Sequence, residues 1–268
     1  MRDLLRHASI VACLLLAGCC IQYRHQDLTF EHHPEDDSAE MVLVYRGVTA
    51  TDDTDGKVGD ALGVVQRLLA GKREFQTPFG SFDLDDPGLR EGSADPDLLA
   101  VLDGVHLLEA AVFLDEQGQL AGRQRFWIDS CAPVVRLLNR RVSAAILEAA
   151  SDGSLEKDTP LLDDRTRELW VRQASTGEAW IDLGHGLVGG EIGIDVPITR
   201  ESWERVQGKL LSELSAPEAQ SGAAFLAQVL GHLRHFEVAD ERVSIVLAPP
   251  ASGIYQLSAH DPGVNYSP

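Results

Sequence analysis

Apolar residues recur at every second position, or in short unbroken runs, in several parts of the chain, and these patterns predict β-strands. Two such runs flank a turn at residues 116–119, which predicts a hairpin. Another run, rich in β-branched and aromatic residues, begins at Met41. The predicted strands are 41–48, 107–114, 120–128, 192–196 and 243–247.

Apolar residues spaced three and four apart predict four amphipathic helices. The first such stripe consists of Val58, Leu62, Val65 and Leu69. Ser130 and Thr199 are the expected N-caps of two further helices, because a hydroxyl at that position accepts an otherwise unpaired backbone N–H. The predicted helices are 58–69, 131–150, 200–214 and 223–235.

A second hairpin-like unit is predicted from the runs 169–173 and 179–183, which flank the turn sequence STGE. This unit precedes the helix capped by Thr199, as the first hairpin precedes the helix capped by Ser130. The same order twice raises the hypothesis of a divergent hairpin–helix repeat, although the two segments share no residue-level identity.

Together these elements predict an α+β fold, with a mostly antiparallel sheet and helices packed on one face. We expect one globular α+β domain over residues 40–250. Residues 19–39 are polar and acidic and predict a flexible tether, and residues 251–268 predict a C-terminal tail. Within the domain, residues 74–97 are rich in Gly, Pro, Asp and Ser and predict a long surface loop.

Residues 1–18 have the order of a signal peptide. Arg2 and Arg6 precede an apolar run at 8–16, which is too short to span a bilayer as a stable helix. Removal of this segment would leave a chain long enough to bury a sizeable core.

The apolar run closes with Leu16-Ala17-Gly18-Cys19, which resembles the lipobox of bacterial lipoproteins. The resemblance implies that Cys19 becomes the first residue of the mature chain and carries acyl chains such as palmitate. Each buried methylene contributes about 0.8 kcal/mol, so two or three chains hold a protein to a membrane. The alternative is an ordinary secretory signal, cleaved nearby, which would release a soluble protein.

The expected location is therefore the cell envelope, with the lipid in a membrane outside the cytoplasm, and in the outer membrane of a Gram-negative source. The formal net charge of −19 repels nucleic-acid phosphates, so we expect no nucleic-acid partner. The membrane and another envelope protein are the expected partners.

His185 and Asp182 are the one catalytic hypothesis that the sequence offers. His185 lies in a Gly-rich loop, and a nearby carboxylate could orient its imidazole for acid–base work. The same loop, 184–189, spells GxGxxG, but it is followed by a predicted strand instead of a helix, so we expect no dinucleotide and no other cofactor. No recognisable nucleophile accompanies His185.

Two histidine pairs suggest weak metal binding, but we assign no metal site to either. His32 and His33 precede a run of acidic residues in the expected tether, which lacks a preformed geometry. His232 and His235 lie three apart on a predicted helix, with no identifiable third ligand.

Cys131 lies at a predicted helix N-terminus, where the helix dipole lowers a thiol pKa. We interpret Cys131 as a partly buried structural cysteine, because no CxxC partner accompanies it. A disulfide with Cys20 stays open, since nothing in the sequence fixes the distance between the two.

The function predicted from the sequence is a membrane-anchored envelope lipoprotein with a non-catalytic binding or scaffolding domain. The alternatives are a lipid-anchored hydrolase that uses His185 with Asp182, or a weakly metal-binding lipoprotein.

Overall fold

The computed structural model describes residues 25–48, 71–77, 80–91, 93–183, 191–214, 227–249 and 254–260. These residues form an α+β fold with antiparallel sheets, which confirms the predicted class. The chain divides into two compact units instead of the single domain expected. The five-stranded unit contains the described residues up to Cys131 and those from 254 on, and the four-stranded unit lies within the continuous segment 132–250.

Strands and helices are numbered in chain order. The strands are β1 (His25–His33), β2 (Ser38–Arg46), β3 (Glu74–Thr77), β4 (Gly80–Asp83), β5 (Val105–Leu114), β6 (Leu120–Ile128), β7 (Ile181–Leu183), β8 (Ile192–Val196), β9 (Leu233–Val238), β10 (Val243–Leu247) and β11 (Ile254–His260). The helices are α1 (Pro87–Arg90), α2 (Pro96–Gly104), α3 (Cys131–Ser151), α4 (Ser154–Asp158), α5 (Asp164–Thr176) and α6 (Arg200–Leu214).

The five-stranded unit is built on a sheet of order β11-β1-β2-β6-β5. Successive residues of a strand point to opposite faces, so Leu43 and Tyr45 of β2 share the buried face. Phe126 of β6 is also fully buried, and its ring centroid lies 4.9 Å from that of Phe75. These residues form the centre of the core of this unit.

The expected tether and tail are both wrong over part of their length. Residues 25–33 form β1, which pairs with β2 on one side and with β11, from the expected tail, on the other. Leu28 and Phe30 occupy alternate positions of β1 and pack against the core. The burial of these two apolar side chains stabilises a strand whose other residues are mostly polar. The described part of 19–39 is therefore integral to the sheet.

The expected loop at 74–97 also contains regular structure. It forms the β3–β4 hairpin, α1 and the start of α2. Asp95 begins α2, because its side chain accepts the backbone N–H groups of Asp97 and Leu98, and Pro96 stands at the first helical position. Phe75 is buried and packs in the core of this unit.

The four-stranded unit contains the sheet β7-β8-β10-β9. Thr199 caps α6 through a 3.2 Å hydrogen bond from the backbone N–H of Ser202, as the sequence predicts. Asp163 caps α5 by accepting the backbone N–H of Thr166 at 2.7 Å. The other carboxylate oxygen of Asp163 accepts the Thr199 hydroxyl at 2.5 Å, so one side chain joins the starts of both helices.

The predicted second hairpin is wrong. Residues 164–176 form α5, which ends at Gly177 in the left-handed conformation with φ of 74°. The sequence STG is therefore a helix end instead of a hairpin turn. The two runs predicted to form this hairpin therefore do not pair with each other, and the antiparallel pair that precedes α6 is β7–β8.

The predicted helix 223–235 is wrong at its C-terminal end, because His235 lies in β9. The segment turns at His232, whose carbonyl oxygen accepts the Ala248 N–H at 2.8 Å. Among the helices that the structure describes, none has the length and apolar character needed to cross a membrane.

Candidate metal centre

The tight turn between β1 and β2 is closed by two aspartates. Asp36 Oδ1 accepts the backbone N–H of Ser38 at 3.0 Å and its hydroxyl at 2.6 Å. Asp37 adopts φ of 61°, a left-handed conformation that aspartate tolerates better than most residues. The backbone carbonyl of Asp37 accepts the N–H of Cys131 at 2.7 Å, which joins the turn to the start of α3.

Three side chains of metal-ligating type meet beside this turn, and we call them the His–Asp–Cys cluster. His32 comes from the end of β1, Asp37 from the turn and Cys131 from the first residue of α3. Each offers one ligand atom, and the three atoms all lie within 4.8 Å of one another. His32 and Cys131 are buried, and Asp37 is half-buried. Imidazole, carboxylate and thiolate are all ligands for transition metals.

His32 and Asp37 form a pair in which the His32 side chain is the more deeply buried. Only 2% of its side-chain surface is exposed, and its Nε2 lies 3.4 Å from Asp37 Oδ1. Its Nδ1 is buried and has no hydrogen-bond partner among the described residues. A buried polar atom without a partner costs about 1–3 kcal/mol, so this nitrogen requires an explanation.

Ser130 fixes the orientation of the Asp37 carboxylate. The Ser130 hydroxyl donates to Asp37 Oδ2 at 2.5 Å, which leaves Oδ1 directed to His32. The sequence predicts that the Ser130 hydroxyl oxygen caps the helix, and the structure shows that the same hydroxyl donates its hydrogen bond to Asp37. A supporting group that holds one carboxylate oxygen is a common feature around protein metal ligands.

The thiol of Cys131 has a raised pKa, contrary to the lowering expected from its position at a helix N-terminus. Burial raises the pKa of Cys131, and the negative charges of Asp37 and Asp36 raise it further, to about 12. The sulfur is therefore a neutral thiol at neutral pH and a poor nucleophile. The expectation of a buried cysteine is confirmed, since Cys131 is 3% exposed, and it carries no disulfide.

The expected pair His32 and His33 does not form one site. Adjacent residues of a strand point to opposite faces, so only His32 reaches the cluster. The ring of His33 instead stacks on Trp127, with centroids 5.5 Å apart and planes 26° apart. Of the acidic run that follows, Asp37 is the one that contributes a ligand atom.

Serine, histidine and aspartate also meet on β1 and β11, in an order that differs from that of a hydrolase. Asp27 is the central residue: Oδ1 lies 2.7 Å from His25 Nε2 and accepts the Ser258 hydroxyl at 2.7 Å. Burial raises the pKa of Asp27, but the hydrogen bonds from Ser258 and Arg46 outweigh this and lower it below its usual range. A nucleophilic serine donates to histidine, whereas this hydroxyl donates to the carboxylate. The arrangement therefore cross-links strands.

The sequence-predicted candidates are only partly covered by the structure. Asp182 lies half-buried in β7, opposite Gly193 of β8. His185 and Cys19 lie outside the described residues. His235 is 55% exposed on β9, where its Nε2 lies 3.5 Å from a carboxylate oxygen of Glu237, so the expected one-sided helical pair of His232 and His235 is wrong.

Sequence reasoning missed the cluster as a unit, although it considered His32 with the acidic run that contains Asp37, and considered Cys131 separately. Asp37 and Cys131 are far apart in sequence, and no local spacing links them. The one available signal was the alternation of Leu28, Phe30 and His32, which places His32 on the inward face of a strand.

No protein-family model, no curated protein and no solved structure matches this chain. Function is therefore inferred from the chemistry and exposure of the residues themselves.

Proposed function

We propose that the protein is a lipid-anchored lipoprotein of the bacterial cell envelope, whose folded part binds or scaffolds another envelope protein. The proposed anchor is the lipid on Cys19, inferred from the resemblance of residues 16–19 to a lipobox. The acidic character of the chain, with a net charge of −19, supports a solvated body beside a membrane.

The observation that carries the binding proposal is the exposed apolar surface of β5. This strand stands at one end of the five-stranded sheet, and its pairing with β6 is its only pairing among the described strands. Large apolar side chains on it are exposed, namely Leu108 at 53%, Phe113 at 38% and Leu114 at 68%. Edge strands with apolar side chains are suited to pairing with an extended segment of another chain.

A bulge restricts where such a partner would pair. The register of β5 against β6 shifts between Leu107 and Glu109, which interrupts the regular edge near Leu108. The longer regular part therefore runs from Glu109 to Leu114. We infer that the partner contributes an extended segment with apolar side chains that cover Phe113 and Leu114.

Metabolic labelling with an alkyne fatty acid tests the anchor. Wild-type protein takes up the label and fractionates with membranes, whereas Cys19→Ala does neither. Cys20→Ala is the matched control, because it removes the adjacent thiol and leaves the lipobox intact. Absence of label from wild-type protein would refute the anchor.

Site-specific photo-crosslinking in intact cells tests the binding surface. A photoreactive residue at position 114 should give a discrete crosslinked protein, and the yield should fall when Cys19→Ala is added. The control position is Glu204, which is exposed on α6 of the four-stranded unit. The same products from both positions, or none from position 114, would refute a partner at β5.

The hydrolase alternative depends on His185 acting with Asp182. It predicts hydrolysis of members of an ester and peptide panel, lost in His185→Ala. Hydrolysis by wild-type protein that is lost in His185→Ala would refute the scaffold proposal. Absence of hydrolysis by wild-type protein across the panel would refute the hydrolase alternative.

A further inference from the structure

We propose that the His–Asp–Cys cluster is a site for a single Zn²⁺ ion, bound by the imidazole of His32, the carboxylate of Asp37 and the sulfur of Cys131. The site lies wholly in the five-stranded unit and is independent of the proposed binding surface on β5.

The donor set favours zinc over the common hard cations. Zn²⁺ is bound in proteins by cysteine thiolate, histidine nitrogen and carboxylate oxygen, whereas Ca²⁺ and Mg²⁺ take oxygen ligands. Binding of the ion therefore displaces the thiol proton of Cys131, which is released to solvent as the Zn–S bond forms. The three ligand atoms already lie within 4.8 Å of one another, so small movements of side chains bring them around one ion.

The separation between His32 and Asp37 fits two ligands better than it fits a hydrogen bond. Nε2 and Oδ1 are 3.4 Å apart, which is longer than the roughly 2.9 Å typical of N–H···O bonds. Two ligands that are each about 2.0–2.1 Å from a tetrahedral ion lie about 3.3–3.4 Å apart. The spacing in the protein is therefore that of neighbouring ligands.

The proposed ligand atom of His32 is Nε2, the ring nitrogen that lies beside Asp37 Oδ1. The other ring nitrogen, Nδ1, is buried without a hydrogen-bond partner in the described part of the chain, and an ion on Nε2 does not give it one.

The protein backbone and Ser130 hold the site in place before any ion binds. Asp37 is fixed by its left-handed backbone and by the N–H of Cys131 on its carbonyl. Ser130 occupies Oδ2 of the same carboxylate, which leaves Oδ1 for the ion. Three protein ligands leave a fourth position for water or an exogenous group.

Cobalt substitution tests the site in the full-length, untagged and reduced protein. One Co²⁺ per chain should give a thiolate-to-cobalt absorption band and visible bands of tetrahedral geometry, and Zn²⁺ should displace it. Cys131→Ala should abolish the thiolate band, and Cys20→Ser, the matched cysteine control, should retain it. Absence of the band from wild-type protein, or its loss in Cys20→Ser alone, would overturn the proposal.

Histidine variants give a second matched pair. His32→Gln should weaken Zn²⁺ binding by more than the roughly 10–100-fold that loss of a supporting group costs, and Ser130→Ala should fall within that range. His33→Gln changes the neighbouring residue on the opposite face and should leave the affinity unchanged. Equal weakening by His32→Gln and His33→Gln would overturn the assignment.

X-ray absorption at the zinc edge of wild-type protein keeps the proposal falsifiable if Cys131→Ala or His32→Gln does not fold. The expected first shell holds one sulfur, with nitrogen and oxygen for the remainder. A shell with no sulfur, or with two or more, contradicts ligation by this cluster.

Discussion

Asp163 links the starts of α5 and α6, and its replacement by asparagine should destabilise the four-stranded unit in a pH-dependent way. Burial raises the pKa of Asp163, but hydrogen bonds from Thr199 and Thr166 outweigh it, and together with Ser202 they lower the pKa from 3.8 to about 2. Asparagine keeps the acceptor for the Thr166 N–H but removes the charge that the hydroxyl of Thr199 stabilises.

The size of the effect follows from the pKa. One pKa unit corresponds to about 1.36 kcal/mol, so lowering from 3.8 to about 2 corresponds to roughly 2.4 kcal/mol at neutral pH. The Asp163 side chain is 24% exposed, and solvent screens part of this interaction. We therefore expect Asp163→Asn to lower the free energy of unfolding by about 1–2 kcal/mol at pH 7.

The pKa of Asp163 is lower in the folded protein than in the unfolded chain, and this fixes how its contribution to stability depends on pH. The charged carboxylate contributes its full stabilisation above pH 4, where it is ionised in both states. As the pH falls from about 4 to about 2, the unfolded chain takes up the proton first and the contribution is lost. The difference between wild type and Asp163→Asn should shrink over that range.

Urea unfolding followed by tryptophan fluorescence at pH 7, 4, 3 and 2.5 measures this difference. Three of the four tryptophans, at 170, 180 and 203, lie in the four-stranded unit. Asp240→Asn is the control, because it removes the same charge from a side chain that is 99% exposed, and it should change the free energy by less than about 0.5 kcal/mol. An equal loss for Asp163→Asn at pH 7 and pH 2.5 would refute the role of its charge.

Three further substitutions test buried contacts. Tyr45→Phe removes the hydroxyl that donates to Gln124 Oε1 at 3.1 Å and should cost about 1–2 kcal/mol in urea unfolding, whereas no loss would mean that the oxygen finds another donor. Asn139→Ala should lower the free energy of unfolding by about 2–3 kcal/mol and speed amide exchange at Ile181. The Asn139 side chain accepts the backbone N–H of Ile181 and donates to the backbone carbonyl of Ile181, so unchanged exchange would contradict this prediction. Phe126→Ala should cost about 3–5 kcal/mol, because the ring is fully buried, and a loss below about 1 kcal/mol in calorimetry would contradict its place in the core.

Strands with strong local signals could be predicted from the sequence. The pairing of β5 with β6, and the bounds of β8 and β10, follow from apolar alternation between clear turns, and the structure confirms them. These strands pair with segments that are near in sequence, or they carry a dense apolar pattern, so the local sequence is sufficient to predict them.

Segments whose structure depends on distant partners were misjudged. β1 is polar enough to resemble a tether, and it is stabilised by pairing with β11, more than 200 positions away. The α5 segment was misjudged for a local reason: Gly177 in the sequence STG was interpreted as part of a hairpin turn, whereas it ends a helix that begins at the Asp163 cap. The cluster of His32, Asp37 and Cys131 could not be predicted because it forms only when the fold brings a hairpin turn and the start of a helix together.

The pairing of β1 with β11 has a consequence for the order of folding. The described residues of the four-stranded unit are continuous in sequence, so every strand of its sheet has left the ribosome before residue 254 appears. The five-stranded sheet, in contrast, keeps one long edge of β1 unpaired until residues 254–260 arrive. Throughout synthesis that edge is open to other strands, so a chaperone that shields extended segments would have its longest opportunity to act at β1.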